Sequence, residues 1–203
     1  MQKITQISAQ EKNKERANIF IDGEFFAGVS LETVMKLRLK VGDTVDGDKL
    51  SEILEEAERT DAINKAADYA LKTLKTKRQV KDYLIKKGYS EETVWQTVDK
   101  LKEYGYIDDK EYSKRFIEST SKTQGRRLIE YKLMMKGVKK DDISSAYETA
   151  ETDDRENARR LAEKYLRNKE ITKENVCKAY KYLIGRGFSY EQADYAVALF
   201  KED

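Results

Sequence analysis

The positive charge of this chain is gathered into short stretches. From Lys72 to Lys87 stand seven basic residues, Lys72, Lys75, Lys77, Arg78, Lys81, Lys86 and Lys87, against one acid, Asp82. From Lys122 to Lys140 stand seven more, Lys122, Arg126, Arg127, Lys132, Lys136, Lys139 and Lys140, against Glu130. Ammonium and guanidinium groups at this density suit the neutralisation of nucleic-acid phosphates. At about 100° per residue, Val80, Tyr83 and Leu84 share one arc of a helix and Arg78, Lys81 and Lys86 the opposite side, so one face packs and the other can meet phosphate. The candidate binding residues are Lys77, Arg78, Lys81, Lys86 and Lys87 in the first stretch and Arg126, Arg127 and Lys136 in the second. Lys178, Lys181 and Arg186 belong to a weaker third, where Cys177 occupies the register of Arg78 and Arg127. A competing reading takes these as ordinary solvated side chains in a chain of net charge +2. The recurrence of the same imbalance favours a patterned surface. The 13 tyrosines could stack bases, but half-buried packing explains them and none is assigned to binding.

Other chemistries are poorly served. With no histidine and one cysteine, Cys177, there is no imidazole base, no imidazole or thiolate metal cage and no internal disulfide. Carboxylate pairs such as Glu55 and Glu56, or Glu91 and Glu92, sit in strongly charged helical stretches and read as solvated faces. Neither a Walker-type loop nor a glycine-rich dinucleotide turn is present. An enzyme is not expected, and no catalytic residue, metal or cofactor is assigned. No apolar run approaches membrane-spanning length and residues 1–10 lack an export-signal pattern, so the expected location is the cytoplasm, with no membrane partner.

The elements that carry the basic stretches form an internal repeat. Leu84, Lys87 and Gly88 recur as Leu133, Lys136 and Gly137, and as Leu183, Arg186 and Gly187. Val80, Ile129 and Ala179 precede the three glycines at one spacing, and Val94, Ile143 and Ala193 follow them at another. One small helical unit is strung three times. In each unit a basic helix B ends at the glycine, which suits a left-handed C-cap, and an acidic helix C follows. Ser90 and Ser189 are placed as N-caps of helix C, and Ser189 with Gln192 makes a capping box. Lys139 stands where the second unit needs its serine, so that helix is expected to begin a residue or two later. Asp108 with Glu111 and Asp153 with Glu156 predict capping boxes that start new helices. Capping accounts for Asp108 and Asp109 better than an acidic contact site does. In the joint Gly105-Tyr106-Ile107, Tyr106 and Ile107 are expected to pack one unit against the next.

Two helices joined by a glycine turn invite comparison with helix-turn-helix DNA readers. However, helix C opens on Glu91 and Glu92, on Asp141 and Asp142, or on Glu191 and Asp194, acids that phosphates would repel. Sequence-specific reading by that helix is not expected.

Residues 1–46 differ in kind. Ile4 and Ile7 mark a strand, and Ala17 to Ile21 and Glu24 to Val29 flank Asp22-Gly23, a tight hairpin signal. Leu31, Val34 and Met35 follow at helical spacing. A three-stranded meander with one short helix is expected, in the role of a cap for the helical array; a strand edge that accepts another chain is the alternative. Residues 1–60 hold 9 basic and 12 acidic side chains, so the basic excess belongs to the repeats.

The fold class is therefore mainly α: three tandem three-helix, helix-turn-helix-like repeats in an elongated array, preceded by a small α+β unit with a β-hairpin. The expected divisions are 1–46 for that unit and 47–75 for a long connecting helix that includes helix A of repeat 1. The rest of repeat 1 is 76–107, repeat 2 is 108–151 and repeat 3 is 152–203.

Arg78 through Gly88, Gly105-Tyr106-Ile107-Asp108-Asp109, Gly125 through Gly137 and the Leu183 to Gly187 block together resemble the RecX family, regulators of the RecA recombinase. The resemblance covers residues about 60 to 203, and the hairpin segment resembles the N-terminal extension of Gram-positive-type members. It implies an array lying along the groove of a RecA filament on single-stranded DNA, modulating and usually suppressing ATP hydrolysis and strand exchange. Roles in recombination, DNA repair and the SOS response are implied, as is direct binding of single-stranded DNA, with duplex DNA left open. Only the helix-B basic residues carry over as contacts. Two other classes stand beside this reading: a DNA-binding protein, either without sequence specificity or regulating transcription, and a helical-repeat protein-protein adaptor.

Overall fold

The structure, a computed structural model, describes residues 1–200. Strands β1 (Gln2–Ala9), β2 (Arg16–Ile21) and β3 (Glu24–Ser30) form an antiparallel meander. Asp22 and Gly23 at its second turn both have positive φ, 50° and 89°, the conformation that matches hairpin twist. A fourth strand, β4 (Thr44–Val45), pairs with the outer edge of β1 and corrects the expected three-stranded sheet to the order β3-β2-β1-β4. It is only two residues long, too short for its alternation to stand out in the sequence. Between β3 and β4, helix α1 (Leu31–Lys36) is capped by the Ser30 hydroxyl and lays Val34 against the sheet core of Ile4, Ile19, Ile21 and Val29.

Helix α2 (Gly47–Lys72) contributes to two cores. Its first half adds Leu50 and Leu54 to the sheet core. Ala62 and Ala66 in its second half join the core of the first repeat, beside α3 (Lys77–Lys87) and α4 (Glu91–Glu103). Ile53 is half exposed, to one side of the buried arc that runs through Leu50, Leu54, Glu58 and Ala62. Ile107 lies in the first repeat's own core, while the exposed Tyr106 meets Tyr104 edge to face.

Two further three-helix sets follow. Helices α5 (Asp109–Thr120), α6 (Arg126–Met135) and α7 (Lys140–Thr149) enclose Ile117, Ile129, Leu133 and Ile143. Helices α8 (Asp154–Leu166), α9 (Lys173–Gly185) and α10 (Tyr190–Ala198) enclose Leu161, Leu183, Phe188 and Ala193. The repeat signature is thus the core itself: Val80, Ile129 and Ala179, the three leucines, and Val94, Ile143 and Ala193 are all buried. Residues 1–74 and 79–107 form one compact unit, and 75–78 with the chain from 108 onward a second.

Gly88, Gly137 and Gly187 have φ of 87°, 84° and 91°. The residue after each, Tyr89, Val138 or Phe188, returns its N–H to the carbonyl of the signature leucine at 3.1–3.3 Å and is itself buried. This is the Schellman closure of a helix C-terminus, with the apolar follower turned into the core.

Some caps differ from expectation. Helix α7 has Lys139 as its N-cap residue, without a side-chain bond, and begins at once at Lys140; the turn geometry sets the start even without a serine. Asp108 and Asp153 cap α5 and α8, but their glutamates do not reach back. Glu111 pairs with Arg115 and Glu156 with Arg159 and Arg160, the charged partner one turn on outcompeting a neutral N–H. Asp109 accepts the Lys77 N–H at 2.9 Å, so it caps α3 rather than its own helix.

Each glycine turn is also occupied from outside. Asn13 donates to the Lys87 carbonyl at 2.8 Å, Thr76 to that of Lys136 at 2.7 Å, and the Gly125 N–H to that of Arg186 at 3.0 Å. A Cβ on Gly88 would lie 2.8 Å from Arg16 Cδ and one on Gly187 2.5 Å from Leu128 Cβ, while one on Gly137 would overlap the Arg78 stem. Gly105 has φ of 74° but open space around it. Gly105→Ala is therefore expected to cost only the left-handed backbone penalty of about 1–2 kcal/mol. Gly137→Ala should cost clearly more, because Arg78 must also move. Thermal unfolding of both variants followed by circular dichroism checks this, and equal losses would mean that the occupied seat adds no stability.

Candidate nucleic-acid interface

The helix-B cations divide by environment. In the first unit, Lys81 lies 3.9 Å from the centre of the Trp95 ring, a cation-π contact that holds the ammonium against an aromatic face. Lys86 is exposed. Lys87 is taken up by Glu15 at 2.8 Å, and the hydrogen bond to Glu15 raises its pKa. A cation already matched in the chain has less to offer phosphate, so Lys87 is the weakest candidate in this unit.

In the second unit the occupied seats set basic residues beside one another. The stem of Arg78 lies over Gly137, next to Lys136. The Arg127 N–H donates to the Gly187 carbonyl at 3.2 Å, next to Arg186, whose own carbonyl accepts from Gly125. Each joint thus sets the start of one basic helix, at Arg78 or Arg127, against the glycine turn that ends another. Lys136 and Arg186 lean on aromatic rings, Phe116 at 5.9 Å and Tyr182 at 5.0 Å. Arg127 is exposed and forms no ion pair among the described residues. Lys77 contributes its backbone N–H to Asp109, whose carboxyl pKa is raised by burial against the opposing pull of that bond.

Two candidates are diverted. Arg126 pairs with Glu130 at 2.7 Å and lies 4.4 Å from the Tyr147 ring centre; the hydrogen bond to Glu130 raises its pKa. Lys178 pairs with Glu174 at 2.6 Å, and the hydrogen bond to Glu174 raises its pKa too. Lys181 is exposed and has no ion-pair partner among the described residues. Trp95 and Phe116 are visible in the sequence, but no local spacing pairs them with Lys81 and Lys136. Their helices meet the basic ones only in three dimensions.

A different kind of polar centre lies in the first unit. Buried Arg16 donates through one nitrogen to the Gly28 carbonyl and to Glu58, both at 2.7 Å, and its guanidinium is 5.2 Å from the Tyr89 ring centre. The Tyr89 hydroxyl donates to Asp61 at 2.7 Å, and Lys65 reaches the same oxygen at 2.9 Å. Burial pushes the Glu58 carboxyl up against the opposing Arg16. Burial acts the same way on Asp61, but the bonds from Tyr89 and Lys65 win and hold it low. This network ties the sheet, α2 and the first glycine turn together. Among the described residues, no group of three or more acidic or cysteine side chains is placed to hold a metal ion, and no helix is long and apolar enough to cross a membrane.

Comparison with known proteins gives this arrangement a family. The Regulatory protein RecX N-terminal domain matches residues 2–46, the first RecX three-helix domain residues 62–101, and the second residues 108–146. A Regulatory protein RecX of Clostridium botulinum (strain Alaska E43 / Type E3) is 43% identical over 147 residues, 70% of this chain and 68% of that protein. One of Clostridium tetani is 37% identical over 151 residues, 74% and 70% of the two chains. The crystal structure of a regulatory protein RecX superposes with a TM-score of 0.65 at 26% identity, covering 97% of this chain and 98% of that one. That of RecX from Lactobacillus salivarius gives 0.60 at 25% identity over 70% and 97%. By the match of its sheet unit and its first two helical repeats, and by its likeness to these relatives, the chain belongs to the RecX regulatory protein family.

Proposed function

We propose that this chain is a cytoplasmic regulator of a RecA-type recombinase, acting as an inhibitor by binding the recombinase filament on single-stranded DNA and lowering its ATPase and strand exchange. It works without catalysis of its own, and its DNA contacts are made to phosphate rather than to bases. The observation that carries the reading is the set of unanswered cations in the second unit: exposed Arg127 and Lys181, and Lys136 and Arg186 held against aromatic rings, none of which has an ion-pair partner among the described residues. Cations left without a counter-charge in the chain can be neutralised by a polyanion. Several such contacts, each weak, add through their connection in one chain. The acids in the first turns of α4, α7 and α10 argue against insertion of those helices into a groove, and so against base reading.

Recombinase ATPase on single-stranded DNA, titrated with the chain, is the direct test. Suppression at substoichiometric amounts is expected, whereas suppression only when the DNA is saturated would indicate competition for DNA alone. Changing Arg127, Lys136 and Arg186 together to glutamate should lower single-stranded DNA affinity at least tenfold and abolish the suppression, with folding verified by circular dichroism. Lys178→Glu, which alters a cation already paired with Glu174, should change affinity less than twofold. If about four phosphates are neutralised, the salt slope on single strands is near −3, or roughly fiftyfold weaker binding between 50 and 200 mM salt. A flat salt titration by fluorescence anisotropy would contradict the electrostatic mechanism.

A further inference from the structure

The N-terminal unit carries a surface of the opposite sign. Helices α1 and α2 border a groove of about 470 Å³, within the range of sites that take small ligands or anchoring side chains. Leu37, Ile53 and Ala57 supply its apolar surface, and Glu32, Glu52, Glu56 and Asp61 line it with Lys36 as the single lining cation. Lys36 is occupied by Glu32 at 2.8 Å. Arg59 and Lys65, outside the groove, answer Glu56 at 3.3 Å and Asp61 at 2.9 Å. Glu52 is exposed and has no ion-pair partner among the described residues. Ile53 is 49% exposed in a helix whose neighbouring branched apolar residues, Leu50 and Leu54, are buried. An apolar floor inside an acidic rim repels a phosphate backbone and complements an apolar anchor flanked by cations.

We propose that this groove seats a basic, amphipathic segment of the partner protein, its apolar side chain on Ile53 and Leu37 and a lysine or arginine side chain at Glu52. This is the helix-in-groove mode of recognition, and it separates the protein-binding face of the chain from its phosphate-binding face. The proposal rests on the proposed function, because it takes the recombinase as the partner that supplies the segment.

The test uses the full chain and two substitutions at exposed positions, Glu52→Lys and Ile53→Ser, singly and together. Affinity is measured for recombinase filaments on single-stranded DNA and, separately, for the bare DNA. The double variant is expected to bind filaments at least tenfold more weakly while its affinity for bare DNA stays within twofold or rises. Glu52→Lys alone is expected to lose at least threefold, and it keeps the test valid if the double variant unfolds. Filament affinity within twofold of the unaltered chain would overturn the groove and leave the proposed function standing. An unaltered chain that binds filaments no better than bare DNA would overturn both. Loss of a dimer of the unaltered chain on Glu52→Lys, seen by sedimentation velocity, would assign the groove to a second copy and likewise overturn the proposal.

Discussion

Everything in this fold turns on the carbonyl that precedes each repeated glycine. The helix ends there, the chain takes a positive φ, and the carbonyl is left pointing outward with no intrahelical partner. Asn13, Thr76 and Gly125 each supply a donor to one of these carbonyls, and Arg16, Arg78 and Leu128 fill the space that a Cβ on the glycine would need. A net hydrogen bond of about 0.5–1.5 kcal/mol and close packing thus recur at three places. The glycine serves two ends at once: it permits the turn, and it leaves room for what sits on it.

That seat also governs the electrostatics. The residue before each glycine is basic, so whatever takes the seat is brought to a cation. At the first turn the β1–β2 loop supplies Glu15, and Lys87 is neutralised. At the other two the seated segments begin at Arg78 and Arg127, and neither Lys136 nor Arg186 has an ion-pair partner among the described residues. The N-terminal unit therefore fills its seat in a chemically different way, consistent with a cap that closes the first turn rather than extending the cationic surface. Its acid-rimmed groove on α1 and α2 has the same bias.

Arg16 couples the seat to the interior. Its stem covers Gly88 while its guanidinium reaches Glu58 on α2 and stacks near Tyr89. A buried ion pair of this kind is a poor source of net stability against an apolar alternative, but loss of one partner strands a charge and costs about 3–5 kcal/mol. The pair fastens α2 to β2 beside the first glycine turn.

The residue order alone determined the repeat, its period, the identity of the buried positions, the hairpin at Asp22-Gly23 and which helices are basic. These are legible because burial follows local periodicity, and positive φ follows glycine. The seats, the use of Asp109 to cap α3, the diversion of Lys87 into an ion pair, and the setting of Lys81 and Lys136 against aromatic rings were decided by tertiary structure. So was β4, whose two residues are a strand only because β1 offers an edge. All of these depend on groups far apart in the chain, whereas the pairs of Arg126 with Glu130 and Lys178 with Glu174 lie one turn apart on a single helix and are legible in the sequence. A periodic pattern states which face of a helix is buried, and it carries no information about which neighbour buries it or which counter-charge that neighbour brings.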